Sequence, residues 1–261
     1  MLNNVIHGSP GRRPALLIAH GLYGSARNWG VIARRLSDQR QVIAVDMRNH
    51  GLSPHAASHG YEDMAADLAQ TVQAHDPPMD VLGHSMGGKA AMVLALMHPD
   101  LVRRLIVADI APVAYDGIDT APIAAMRAVD PARVASRSQA AGQMQGIPEE
   151  LKPFLLQSLD LKAGKWRLNL DVLEREMARI RGFPEVSGRF EGDALFLTGE
   201  KSDYVRPEHR DRIKALFPRA RFARLPGAGH WLHAEKPRDF EAAVRAFLDR
   251  PDQPAANRLG R

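Results

Sequence analysis

A chain of 261 residues, 45% of them hydrophobic and 25% charged, has the composition of an ordinary globular protein and is long enough for one large sheet domain with an insertion. The absence of cysteine excludes a disulfide framework, thiolate catalysis and a cysteine-ligated metal. The formal net charge is +5, but the arginines are scattered along the chain and do not cluster on one periodic face, so we expect no nucleic-acid partner.

Short apolar runs alternate with helical patterns along the chain, which predicts crossover units on a mostly parallel sheet. The runs predicted to be strands are residues 15–19, 41–45, 79–82, 105–108, 194–197 and 221–225. Apolar residues at helical spacing predict half-buried helices over residues 61–72 and 240–248. We therefore expect an α/β core domain formed by residues 1–111 and 193–250.

The longest apolar run covers residues 90–97 and predicts a helix that is buried on every side. It is far shorter than the ~20 residues that span a bilayer, and the polar start of the chain lacks the pattern of a signal peptide. We therefore expect no membrane partner and a cytoplasmic location.

Residues 112–192 interrupt the alternation of strands and helices. Helical stretches are predicted around residues 122–129, 131–141, 148–159 and 171–180, with no strand between them. Such an insertion is expected to form an all-helical cap, or lid, over the carboxyl ends of the strands. The tail at residues 251–261 is polar and contains proline, so we expect it to be flexible.

The string VLGHSMGGKAAM runs from the predicted strand at residues 79–82 into the buried helix. It contains a G-x-S-x-G pattern as Gly83, Ser85 and Gly87, in which a sharp strand-to-helix turn presents the serine hydroxyl outward. Glycine is needed on both sides, because a side chain there would collide across the turn. A turn without chemistry could carry the same letters, but its placement between a strand and a helix favours Ser85 as a nucleophile.

A serine at such a turn needs a base on a loop after the last strand of the sheet. The string LPGAGHWLHAEKP follows the strand at residues 221–225 and offers His230 and His233. We favour His230 because it directly follows the flexible Gly227 and Gly229. His233 is placed to pack against the start of the next helix.

The oxyanion hole of this arrangement uses two backbone amides. The string HGLYGSARNW follows the strand at residues 15–19, and its Leu22 amide is expected to act with the amide of Met86. Each such donor contributes ~3 kcal/mol to transition-state stabilisation. The loop at residues 46–50 reaches the same edge of the sheet, and we expect it mainly to support the oxyanion loop.

The order of these motifs resembles that of one family over most of the chain, from His20 to Pro237. The strings concerned are HGLYGS, VDMRNHGLSPH, GHSMGGKAAM, VADIAPVAY and GHWLHAEKP. The chain resembles the small bacterial acyl-esterases of the α/β-hydrolase superfamily. That resemblance implies hydrolysis of short-chain esters, with some acyl-CoA thioesterase activity, beneath a helical lid.

The resemblance leaves two positions for the acid that orients the histidine. In the wider superfamily the acid follows the strand at residues 194–197, three residues after a glycine such as Gly199, and here that slot holds Ser202, with Asp203 one place late. In the subfamily that the chain resembles, the acid follows the preceding strand, where the matching residue is Asp109. We favour Asp109, at the carboxyl end of a parallel strand, and keep Asp203 as the fallback.

These residues together predict a serine esterase that hydrolyses small carboxylic esters, with acyl-CoA thioesters as a second class, through an acyl-enzyme on Ser85. We expect no cofactor and no metal, and a small-molecule ester or thioester as the partner. Candidate lining residues are aromatic, although aromatics pack interiors more often than they contact substrate. They are Tyr23, Tyr115, Trp166 and Trp231.

Other functions of the same fold stay open at this point. Dehalogenases and epoxide hydrolases of this fold place an aspartate at the strand-to-helix turn, so the serine at that turn argues against both. Carbon-carbon bond hydrolases and perhydrolases keep the serine, and a ligand-sensing binder could keep a slow triad. The sequence leaves the physiological substrate, the preferred acyl length, the enantioselectivity and the oligomeric state undetermined.

Overall fold

A seven-stranded sheet forms the centre of the fold in the computed structural model, which describes residues 1–117 and 119–251. The strands of the chain are β1 (Asn3–His7), β2 (Leu16–Ala19), β3 (Val42–Asp46), β4 (Met79–His84), β5 (Val102–Ala108), β6 (Leu159–Asp160), β7 (Lys165–Trp166), β8 (Asp193–Gly199) and β9 (Ala220–Leu225). The sheet has the order β1-β3-β2-β4-β5-β8-β9, and β6 pairs with β7 outside it. All six predicted strands are present in it.

Helices cover both faces of this sheet and fill the segment between β5 and β8. They are α1 (Gly30–Leu36), α2 (Tyr61–Gln73), α3 (Met86–Met97), α4 (Ala121–Arg127), α5 (Arg137–Gln143), α6 (Lys152–Leu155), α7 (Leu170–Arg175), α8 (Met177–Arg181), α9 (Arg210–Leu216), α10 (Leu232–Glu235) and α11 (Pro237–Leu248). Short 3-10 helices lie at Ala26–Trp29, Pro99–Leu101, Glu149–Leu151, Leu156–Ser158 and Pro207–His209. Helices α2 and α3 pack in one apolar cluster, and α1 and α11 pack in the other.

The central strands are parallel, and the first strand is the exception. Strand β1 pairs antiparallel with β3 at the edge of the sheet and has no counterpart among the predicted elements. Its sequence NNVIH places Val5 and Ile6 side by side, 38% and 49% exposed. A short edge strand of this kind shows neither a buried run nor an apolar alternation, so its sequence carries no strand signal.

Helix α3 is the most buried helix of the core, as the apolar run at residues 90–97 predicts. Every residue from Met86 to Leu96 is buried. No helix of the described parts of the chain is long and apolar enough to cross a membrane. The predicted flexible tail spans residues 251–261, of which residues 252–261 lie outside the described residues.

The segment between β5 and β8 is mostly helical, but the expectation of an all-helical cap is wrong in one place. Strands β6 and β7 form a two-residue antiparallel pair that joins Leu159 to Trp166. The reversal between them is favoured by Gly164, whose φ of +61° suits glycine, and by Asp160, whose side chain accepts a hydrogen bond from the amide of Ala163 at 3.1 Å. Strands this short escape a search for apolar periodicity.

The predicted cap helices are also shorter than expected. Helix α5 begins at Arg137, because the side chain of Ser136 caps it by accepting from the amide of Gln139. The stretch predicted at residues 148–159 is divided into α6 and two 3-10 turns, and the stretch at 171–180 is divided into α7 and α8. Pro148 and Pro153 account for the interruption of the first stretch, because proline has no backbone N–H to donate within a helix and its ring clashes with the preceding turn.

Glycine at the turn between β4 and α3 lets two backbone segments approach closely. A Cβ atom built on Gly83 would lie 2.2 Å from the carbonyl oxygen of Gly87, a distance that forces the turn to move. In contrast, a Cβ built on Gly142 in α5 meets nothing within 4 Å. The two glycines therefore form a matched pair for testing the turn.

We expect Gly83→Ala to lower the free energy of unfolding by about 1–3 kcal/mol or more, because the added methyl group overlaps backbone. Gly142→Ala should instead raise it by up to ~1 kcal/mol, since alanine favours helix over glycine. Urea unfolding of both variants measures the difference. Equal effects of the two substitutions would show that the turn is not tightly packed.

Candidate active site

Ser85 lies at the turn between β4 and α3, where its backbone has φ of 53° and ψ of −120°. A non-glycine residue rarely adopts this conformation, and it is maintained here by the packing of the flanking glycines. The amide of Ser85 donates to the carbonyl of Ala108 at 3.1 Å, which ties the turn to the end of β5. The side chain is only partly buried, so its hydroxyl is open to the cavity beside it.

The imidazole of His230 links the serine to a buried carboxylate. Its Nε2 lies 3.1 Å from the Oγ of Ser85, and its Nδ1 lies 2.7 Å from the Oδ2 of Asp109. A neutral ring protonated on Nδ1 donates to the carboxylate and leaves Nε2 free to accept from the hydroxyl. This is the order of contacts that a nucleophile, a base and an orienting acid require.

The acid next to His230 is Asp109, not Asp203. Asp109 is fully buried, and its Oδ1 accepts a hydrogen bond from the amide of Gly199 at 3.1 Å. The hydroxyl of Ser202 donates to its other oxygen, so the residue in the superfamily's usual acid slot supports the carboxylate from the neighbouring strand. Asp203 is exposed, and its backbone carbonyl accepts from Arg206.

The predicted oxyanion loop lies directly against the serine. A Cβ built on Gly21 would lie 3.2 Å from the Cβ of Ser85, so the loop after β2 touches the turn after β4. Leu22 follows Gly21 in this loop, and Met86 is the first residue of α3. Both predicted amide donors therefore belong to segments that meet at Ser85, and their role stays a prediction.

Two buried histidines join the loop after β2 to the loop at residues 46–50. The Nε2 of His20 accepts from the amide of Met47 at 2.9 Å, and the Nε2 of His50 accepts from the amide of Tyr23 at 3.2 Å. Because each ring accepts at Nε2, its proton lies on Nδ1, which faces a carbonyl oxygen. Both rings are therefore neutral and crosslink the two loops.

Sequence reasoning missed two residues that hold His230. The Nε2 of His84 donates to the backbone carbonyl of His230 at 2.8 Å. The ring of Tyr204 stacks on the imidazole with centroids 4.1 Å apart. His84 precedes Ser85 in the string VLGHSMGGKAAM, and this position was the signal that could have identified it. The sequence around Tyr204 offers no such signal, because its contact with His230 depends on a distant loop.

A cavity of about 270 Å³ opens at Ser85 and His230, between the core and the cap. Of the predicted aromatic lining residues, Tyr23, Tyr115 and Trp231 line it. Trp166 does not, because β7 places it on the cap hairpin, where it packs against the apolar core. An outer recess of about 830 Å³ adjoins the cavity, and both are lined by Asn28, Phe154, Trp231 and His233.

His233, the other histidine after β9, packs on Trp29 and lies edge-on to Phe240 near the start of α11. Its ring stacks on Trp29 with centroids 4.1 Å apart and an interplanar angle of 10°. Burial, together with the nearby His230, lowers the pKa of His233 to about 3. A ring that stays neutral at ordinary pH and lies against an indole serves packing, not proton transfer.

Buried histidines give the protein an acid-sensitive fold. Burial lowers the pKa of His20 to about 4, of His50 to about 3 and of His59 to about 2, and it lowers the pKa of His84 well below its usual value. The unfolded chain protonates its histidines below about pH 6.5, whereas these rings stay neutral in the fold. The unfolded state therefore binds more protons, and stability is lost as the pH falls below about 6.5.

We expect the free energy of unfolding to decrease from pH 6.5 to pH 5 by up to about 1.4 kcal/mol per pH unit for each such histidine. Urea unfolding at a series of pH values measures the slope. His233→Phe, which keeps a ring on Trp29, should reduce the slope, and His55→Gln at an exposed position supplies the control. A slope that does not change in His233→Phe contradicts the assignment.

Comparison with known proteins identifies the family. A model described as the alpha/beta hydrolase family matches residues 16–243. The chain is 42% identical to mouse "sn-1-specific diacylglycerol lipase ABHD11" over 90% of this chain and 81% of that protein, and 42% identical to "Esterase YbfF" of Escherichia coli (strain K12) over 90% and 92%. A solved structure titled "Marine microorganism esterase" has a TM-score of 0.89 and 39% identity, covering 94% of this chain and 98% of that one. These matches confirm the resemblance that the motifs indicated, and the chain belongs to the alpha/beta hydrolase family.

Proposed function

We propose that this chain is a serine carboxylesterase that hydrolyses small carboxylic esters through an acyl-enzyme on Ser85. The observation that carries the proposal is the unbroken series of contacts from Ser85 through His230 to Asp109, at the mouth of an apolar-lined cavity. Relatives over nearly the full length that are named esterase and diacylglycerol lipase support the same class of reaction.

In the proposed reaction, the Oγ of Ser85 attacks the acyl carbonyl while the Nε2 of His230 takes its proton. The carboxylate of Asp109 holds the ring in the required tautomer and stabilises the imidazolium that forms. The ring then returns the proton to the leaving alcohol. Water attacks the acyl-enzyme through the same base, releasing the acid and restoring the serine.

The charge on the carbonyl oxygen would be held by the backbone amides of Leu22 and Met86. This assignment is supported by the contact between the loop after β2 and the start of α3, where Gly21 approaches Ser85. The start of α3 also offers unpaired amides, which favour negative charge. Since both donors belong to the backbone, side-chain substitutions at either position should leave this function intact.

Acyl-CoA thioesters form a second substrate class of the same mechanism. The outer recess beyond Trp231 is large compared with the inner cavity, and its wall carries two basic and two acidic residues, Arg27, Arg137, Glu150 and Glu235. A bulky leaving group would fit that recess better than the inner cavity because of its size. Parallel assays with acetyl-CoA and 4-nitrophenyl acetate compare the two classes.

The nucleophile is tested with a fluorophosphonate probe and 4-nitrophenyl acetate. The wild-type protein should be labelled and turn over repeatedly, whereas Ser85→Ala should lose labelling and lower kcat by a factor on the order of 10⁴–10⁶. Cleavage of a dienoic dione in preference to esters would favour a carbon-carbon bond hydrolase. A single slow turnover, or equal activity of Ser85→Ala, would contradict the proposal.

The acid is tested by comparing Asp109→Asn with Asp203→Asn. Loss of the residue that sets the tautomer should lower turnover by ~10⁴, because the ring then presents the wrong nitrogen to the serine. Exposed Asp203 supplies the matched control and should change turnover little. A larger loss in Asp203→Asn than in Asp109→Asn would overturn the assignment.

A further inference from the structure

Lys89 is a buried lysine of the cavity wall that the proposed mechanism does not use. It lies one turn after the nucleophile on α3, where its amide donates to the carbonyl of Ser85 at 3.0 Å. The residue is only 1% exposed, although its side chain lines the same cavity as the serine. Burial of an ammonium group costs free energy unless its polar atoms find partners, so the contacts of the Lys89 side chain require an explanation.

The side-chain hydrogen bonds of Lys89 go to the end of cap helix α8. Its Nζ donates to the carbonyl of Arg181 at 2.8 Å and to the carbonyl of Gly182 at 2.5 Å. The hydroxyl of Tyr61, from α2, donates to the carbonyl of Ile180 at 2.5 Å. The carbonyls at the end of a helix have no partners within it, and these two core side chains donate to three consecutive acceptors of the cap. The carbonyl of Arg181 also accepts from the amide of Tyr115 at 3.0 Å.

The charge of Lys89 has no carboxylate partner within the described ranges. Its Nζ lies over the ring of Tyr115 at 4.7 Å and over the ring of Tyr61 at 5.7 Å. Burial, followed by the nearby Arg181, lowers the pKa of Lys89 to about 7. The position of Lys89 is therefore set by hydrogen bonds to carbonyls and contacts with aromatic rings, and not by an ion pair. Both the charged and the neutral form of its amine can donate to the two carbonyls.

Helix α8 forms part of the wall that the substrate would meet. Its Met177 and Ile180 line the cavity together with Tyr61 and Lys89. His230 must protonate the leaving group, so that group belongs on the side of Trp231 and the outer recess. The acyl group then extends into the inner cavity, which Met177 and Ile180 of α8 line, whereas no residue of α8 lines the outer recess.

We propose that Lys89, with Tyr61, fastens the end of α8 to the core and so sets the length of the acyl group that the cavity accepts. This inference rests on the proposed function, and it makes both residues determinants of specificity that do not contact the reacting atoms. A cap end that is fixed at three carbonyls keeps the acyl end of the cavity short. Release of that end lets α8 move outward and admits a longer chain.

The test compares 4-nitrophenyl acetate with 4-nitrophenyl octanoate. In Lys89→Met, which keeps the length of the side chain but cannot donate, the ratio of kcat/KM for octanoate to that for acetate should rise about tenfold or more. Tyr61→Phe removes one hydroxyl and should raise the ratio less. Lys165→Met, at an exposed position of the cap hairpin, removes a charge away from the cavity and should leave the ratio unchanged.

Hydrogen exchange of residues 177–182 gives a second readout that needs no substrate. These amides should exchange faster in Lys89→Met and Tyr61→Phe than in the wild type. An unchanged ester ratio and unchanged exchange in both variants would overturn the inference while the esterase proposal stands. If the wild type hydrolyses no ester, the proposed function fails, and exchange alone decides whether Lys89 fastens α8. Should Lys89→Met fail to fold, Tyr61→Phe carries both measurements.

Discussion

The site depends on a close contact between three backbone segments at the turn that carries Ser85, the proposed nucleophile. A Cβ built on Gly87 would lie 2.4 Å from the carbonyl oxygen of His20 and 2.5 Å from that of Ala19, so β2, β4 and α3 meet with no room for a side chain. The same contact brings the oxyanion loop to the start of α3 and leaves Ser85 with positive φ. The orientation of Ser85 is therefore a property of backbone packing.

The position of the acid follows from the way that two neighbouring strands end. The amide of Asp109 donates to the carbonyl of Leu197, and the amide of Gly199 donates back to the carboxylate, so the ends of β5 and β8 interlock. A carboxylate on either strand end can face the imidazole, which is why spacing alone leaves the choice open. Here Ser202 occupies the second strand end and donates to Asp109, and the two positions act as one support.

The sequence was sufficient for the features that local patterns determine. Buried apolar runs predicted the central parallel strands, and the spacing of the glycines predicted the turn at Ser85. Spacing left two candidates for the acid, and the choice of Asp109 came from family resemblance. The contact of Tyr204 with His230 could not be predicted, because it joins two loops that meet only in the folded chain, whereas the position of His84 next to Ser85 offered a signal that sequence reasoning did not use. The edge strand was missed because its residues form neither a buried run nor an apolar alternation, and the two-residue strands of the cap hairpin were missed because they are too short for a periodic signal.

The buried histidines around the site also bear on the proposed protonation of His230. The ring of His84 lies 4.8 Å from that of His230, and a positive charge on both would cost ~3 kcal/mol at an effective dielectric constant of about 20. Burial lowers the pKa of His84 well below its usual value, so in the proposed reaction the imidazolium of His230 would form without that repulsion. The Nε2 proton of His84 is already used in holding the backbone of His230. The desolvation from which we predict an acid-sensitive fold would therefore leave the positive charge of the proposed reaction on His230, the ring that faces Asp109.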